Sequence, residues 1–134
     1  MKFSYKRYHT LERPVVPIVI RNPQTGLAVG YEALIDSGSD LCIFSSEIGE
    51  LVGLDVLSGE AHFIGGVVAG ERRPYYLHAI EISIGGQVYT TSAAFMPDLS
   101  KSGHGLLGRA GFFDRFSFVK FRQPQSTIEI GRPC

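Results

Sequence analysis

Short runs rich in Val, Ile, Tyr, Phe and Thr alternate along this chain with turn-forming clusters, sixteen glycines and seven prolines in 134 residues, and no long stretch repeats its apolar residues at a helical period. β-Branched and aromatic residues fit pleated surfaces, while Gly and Pro punctuate turns, so the pattern predicts an all-β fold with one or two short helices. Val15–Arg21 reads as a strand, Asn22-Pro23-Gln24-Thr25-Gly26 as a turn, and 27–35 as the hairpin partner, which ends directly at Asp36. After a strand at 41–44 comes a short helix, Ser46–Leu51, which Ser46 can cap and Gly53 can stop. Runs at 61–64 and 75–84 flank the loop Gly65-Gly66-Val67-Val68-Ala69-Gly70-Glu71-Arg72-Arg73-Pro74, whose make-up suits a mobile hairpin. Ile80, Ile82 and Ile84, then Gly85-Gly86 and 88–95, describe another hairpin with one buried face. Residues 108–116 form the second helical candidate, and strands at 118–121 and 126–130 close the chain.

With 44% hydrophobic residues, a chain of this length can bury one sizeable core, and 1–134 is read as a single domain. Thirteen basic residues balance thirteen acidic ones, which removes the electrostatic footprint of a nucleic-acid or anionic-membrane binder. No apolar run approaches the roughly 18 residues of a membrane span. Residues 1–12 lack the apolar core of a signal peptide, so the expected location is cytoplasmic. Two cysteines, Cys42 in an apolar stretch and Cys134 at the end, are too few for a disulfide framework. His9, His62, His78 and His104 are scattered without metal or triad spacing, so neither a metal nor another cofactor is expected.

The chemistry concentrates in Ala33-Leu34-Ile35-Asp36-Ser37-Gly38-Ser39-Asp40, an acidic residue placed where a buried strand turns sharply. Three apolar residues carry the strand into the core, and Gly38 permits a turn tight enough for its amide to approach the Asp36 carboxylate. Ser37 and Ser39 add hydroxyls, and hydrogen bonds to the charged form lower a carboxylate's pKa. Asp, Ser and Gly also dominate ordinary turns, so these residues by themselves leave a structural turn and a catalytic one both open.

The segment resembles the aspartic peptidases, in which an apolar pair precedes Asp-(Ser or Thr)-Gly-(Ser, Thr or Ala). Three further segments, in order, resemble retropepsin landmarks: Arg13-Pro14, Ile64-Gly65-Gly66 and Leu106-Leu107-Gly108-Arg109. The resemblance implies a retropepsin-like acid protease barrel with a flap hairpin. Asp36, Ser37 and Gly38 would form the catalytic turn; Ser39, Asp40, Ile64, Gly65, Gly66, Val67 and Val68 would contact a peptide. Leu106, Leu107 and Gly108 would support the turn from beneath. Arg109 would pair with Asp40 of its own chain and Arg13 with Asp40 of a partner, the alternative for each arginine being solvent exposure. The flap reads Gly-Gly-Val-Val-Ala-Gly, less glycine-rich than in retroviral enzymes, and Ser39 replaces their common alanine, which implies a more acidic optimum if its hydroxyl reaches Asp36.

Hydrolysis by this chemistry needs two carboxylates sharing a proton. Asp55, Asp98 and Asp114 lack a following Ser/Thr-Gly, so the second carboxylate must come from another copy across a two-fold axis. The implied protein is an aspartic endopeptidase active as a homodimer on peptide or protein substrates. The main alternative keeps the fold as an inactive dimerisation or peptide-binding module; a third reading is a β-barrel carrier of small ligands. Strand 126–130 is a candidate for the dimer edge, or else an internal strand. Gly103-His104-Gly105-Leu106-Leu107-Gly108 is a literal G-x-G-x-x-G, but the polar Asp98-Leu99-Ser100-Lys101-Ser102 precedes it where a dinucleotide site needs a buried strand.

Overall fold

A computed structural model describes residues 1–65, 72–100 and 103–134. Three short strands, β1 (Lys2–Ser4), β2 (Lys6–Tyr8) and β3 (Leu11–Arg13), precede the long hairpin of β4 (Val15–Arg21) and β5 (Ala28–Ile35). Then follow β6 (Ile43–Ser45), helix α1 (Ser46–Leu51), β7 (Glu60–Gly65), β8 (Arg72–Ile84), β9 (Gln87–Met96), β10 (Gly105–Leu107), β11 (Val119–Arg122) and β12 (Thr127–Ile130). The fold is all-β, as the punctuation predicts. Among the described residues no helix is long and apolar enough to cross a membrane.

The main sheet runs β4-β5-β10-β6-β9-β8-β7, and β4 pairs again with β8. β8 makes this return possible because it is long: its first half takes β7 along one edge, and at 81–83 β4 arrives instead, with Ile20 opposite Ile82. The sheet therefore curls around its own apolar face. Period-two alternation supplies that face: Val16, Ile18 and Ile20 from β4 and Ile80, Ile82 and Ile84 from β8 are all buried. At about 2 kcal/mol per buried aliphatic side chain, these positions dominate the curling. Phe44, Phe95, Phe112 and Leu107 fill the centre.

Two expectations change here. Strand 126–130 is not an open edge: β12 lies between β1 and β11 in a three-stranded sheet, with Phe3 opposite Ile128 on one side and Phe121 opposite Ile128 on the other. Residues 108–116 hold no α-helix, only turns and a single 3₁₀ turn at Phe113–Arg115. Gly111 there adopts φ +99°, which breaks a helix, and its N–H donates to Asp114 Oδ1 at 2.9 Å. The helix at Ser46–Leu51 does form, but Ser45 caps it, accepting the Glu47 N–H at 3.2 Å, while Ser46 sits inside the first turn.

Candidate active site

The strand order around Asp36 is what gives the site its shape. β5 delivers the chain to Asp36, and β6 carries it away, yet the two strands are not neighbours: β10 lies between them, parallel to β5 and antiparallel to β6. Leu106 faces Leu34 across one ladder and Ile43 across the other. The turn must arch over the end of β10, and that strand fastens it. Leu107 O accepts the Asp36 N–H at 3.0 Å, and the N–H groups of Arg109 and Ala110 donate to Ser39 O and Asp40 O at 2.8 and 2.9 Å. Gly108 is required by closeness rather than by its dihedrals. A Cβ there would stand 2.1 Å from Leu41 O and 2.7 Å from Ser39 O, backbone atoms that cannot swing aside. Leu107, Gly108 and Arg109 thus contact the turn through their backbones, and Leu106 pairs with Leu34 and Ile43 beside it.

Asp36 itself is half-buried, its carboxylate fixed by the Gly38 N–H, which donates to Oδ1 at 2.9 Å. Ser37 is exposed beside it. Ser39 behaves differently from the expectation: its hydroxyl donates to Leu41 O at 2.7 Å, locking the turn's exit rather than charging Asp36. The premise for a more acidic optimum, a Ser39 bond to the carboxylate, is absent.

A groove of about 470 Å³ opens over the turn. Asp36, Gly38, Ser39 and Asp40 line its floor with Leu106, and Ile64 and Gly65 at the end of β7 line its opposite wall. β7 and β8 pair from Glu60 opposite Leu77 to Gly65 opposite Arg72, forming the arms of the expected flap hairpin. Gly66, Val67 and Val68 lie outside the described residues. Four further lining residues, Leu41, Ile43, Phe63 and Tyr75, escaped the sequence reading. A period-two count would have found two of them, because Leu41 and Ile43 alternate with the core residues Cys42 and Phe44 and so point to the opposite face. Phe63, 56% exposed, carries no such signal.

Of the two arginines, Arg109 lies 3.7 Å from Asp40 of its own chain, as the resemblance implies, with both side chains largely exposed. Arg13 stands on the exposed strand β3, and Pro14 after it accepts the Ile35 N–H at 2.9 Å, one residue from Asp36. Cys42 is buried, weakly bonded to Ala110 O at 3.7 Å, and burial pushes its thiol up to about 11. It packs, and is no nucleophile. The G-x-G-x-x-G stretch forms β10 from Gly105 onward instead of a strand-to-helix turn, and its second and third glycines serve packing; a Cβ on Gly105 would stand 2.4 Å from the Phe44 ring.

No family model and no curated protein matches this sequence. Solved structures do. The retroviral protease-like domain of Ddi1 from Leishmania major is 17% identical with a TM-score of 0.61, covering 88% of this chain and 87% of that one. A retropepsin-like aspartic protease from Rickettsia conorii is likewise 17% identical with a TM-score of 0.61, covering 88% and 92%. EIAV protease, complexed with the inhibitor HBY-793, is 16% identical with a TM-score of 0.51, covering 78% and 88%. The chain therefore has the retropepsin-like fold.

Proposed function

We propose that this chain is an aspartic endopeptidase that acts as a homodimer. The observation that carries the reading is the fixed Asp36 carboxylate, held by the Gly38 amide and lining a groove that also reaches the β7 arm. Asp36 is partly open to solvent and firmly oriented, which a general base for water requires. One copy offers one Asp-Ser-Gly turn. In a two-fold dimer the two Asp36 side chains meet, and carboxylates about 3 Å apart cannot both ionise, so they hold one proton between them. The ionised carboxylate takes a proton from water, which attacks the scissile carbonyl; the protonated one donates to the developing oxyanion. The tetrahedral intermediate then collapses: the carboxyl that took the water proton gives it to the leaving nitrogen as the C–N bond breaks, and the other carboxylate recovers its proton from the intermediate's hydroxyl, leaving one proton on the pair. A peptide lies extended between the turn and the β7–β8 arms, held through its backbone as an added strand would be, while Leu41, Ile43, Phe63 and Tyr75 offer apolar contact.

The test is cleavage of a diverse peptide library between about pH 3 and 7, with Asp36→Ala alongside and the oligomeric state recorded. Cleavage by the wild type that Asp36→Ala abolishes supports the enzyme. A confirmed dimer that cleaves nothing but still binds peptides favours the same fold as a binding module.

A further inference from the structure

β8 outruns the strand beside it. Its pairing with β9 begins at Tyr76, opposite Phe95, whereas its pairing with β7 continues to Gly65 opposite Arg72. Residues 62–65 and 72–75 therefore run past the end of β9 as a two-stranded ribbon, without a third strand among the described residues, and such a ribbon is marginal in water. Two contacts stiffen it from within: the His62 and Tyr75 rings stack with centroids 5.5 Å apart, and the Arg72 guanidinium lies 5.0 Å over the Phe63 ring. Neither fixes its height above Asp36. Tyr75 supplies an apolar footing, packed against the buried cluster of Ile43, Ala94 and Met96.

A side-chain hydrogen bond crosses from this ribbon to the body of the fold: Arg73 Nη1 donates to Asp98 Oδ2 at 3.1 Å. Both ends are placed for it. Arg73 stands opposite Ile64 and two residues before Tyr75, so it shares the face of the ribbon whose Ile64 and Tyr75 line the groove. Asp98 sits in the turn that ends β9, where Pro97 restricts the backbone and the Leu99 N–H donates to Met96 O at 3.2 Å. Leu99 packs on the same apolar cluster, and Met96 pairs with Ser45 of β6, the strand that leaves the Asp36 turn. Asp98 is thus anchored to the floor of the groove and Arg73 to its roof. An exposed ion pair adds little to global stability, and each side chain here is about half exposed. On a ribbon held by so few contacts, the same small energy decides local position.

We infer that Arg73 and Asp98 are a positioning pair: their bond sets the ribbon's height over the Asp36 turn, and so the strength with which the groove grips an extended peptide. This rests on the peptidase reading and adds two residues that act through the ribbon rather than on the scissile bond. The experiment compares the full wild-type chain with Arg73→Ala, Asp98→Ala and the double variant. It measures amide hydrogen exchange in 62–65 and 72–75, and KM and kcat on a peptide found in the library screen. Each single variant speeds exchange in the ribbon and raises KM roughly three- to fivefold with kcat unchanged, and the double variant is no worse than either single one. Wild-type exchange in both single variants, faster exchange without a change in KM, or penalties that add in the double variant overturn the pair's role. A wild type that cleaves nothing fails the peptidase reading instead, and ribbon exchange then decides the pair by itself: faster in both single variants supports it, unchanged overturns it.

Discussion

Asp36 and Gly38 show how little sequence a fixed carboxylate needs: two residues apart, joined by one amide-to-carboxylate bond of 2.9 Å. That bond follows directly from Gly after a strand end, and so it is legible in the residues themselves. The direction of the Ser39 hydroxyl is not. A hydroxyl rotates to whichever acceptor its backbone presents, and the arch over β10 presents Leu41 O. Cys42 carries a prediction at the same scale. The folded chain keeps its thiol protonated up to about 11, against an ordinary 9.0 in the unfolded chain. Above pH 9 the unfolded state sheds a proton that the folded state retains, so this residue costs no stability below about pH 9 and progressively more as pH climbs toward 11. Between pH 8 and pH 10 wild type should lose about 1 kcal/mol more unfolding free energy than Cys42→Ala, measured by urea denaturation.

Among the elements, those with a clear period were legible, and those set by tertiary contacts were not. β4, β5, β8 and β9 each span seven or more residues, carry an alternating stretch, and fall within a residue or a few of the expected bounds. Residues 108–116 misled because Phe112 and Phe116, both buried, stand at the i, i+4 spacing of a helix face. The backbone between them instead turns at Gly111, closed by Asp114. β1, β2 and β3 span three residues each, too few for a period to declare itself. Their existence depends on partners distant in sequence: β1 pairs with β12, and the Met1 amino group donates to Ile130 O at 2.8 Å. Deleting residues 1–4 should therefore uncover β12 as an open edge. The expected outcome is a loss of about 2 kcal/mol or more from the exposed apolar contacts of Met1 and Phe3, together with concentration-dependent association, read by urea denaturation and light scattering.

For the whole molecule, the insertion of β10 between β5 and β6 converts a sequence motif into a site. It holds Asp36 at the end of a curled sheet, in a groove shared with the end of β7, and leaves the residue half open to solvent. The four landmark segments were legible in order along the chain, but the groove that three of them line was not, since its further apolar lining, Ile43, Phe63 and Tyr75, comes from β6, β7 and β8 together. The central claim is that one active site needs two Asp36 carboxylates from two chains. The most direct test holds wild type at a fixed concentration, adds increasing Asp36→Ala chain, and follows cleavage of a peptide found in the library screen. Heterodimers carry one carboxylate, so activity should fall toward zero as the variant reaches excess, and wild type diluted alone should lose activity faster than in proportion to its concentration. Activity that stays proportional to wild-type concentration and ignores the added variant would contradict the shared site.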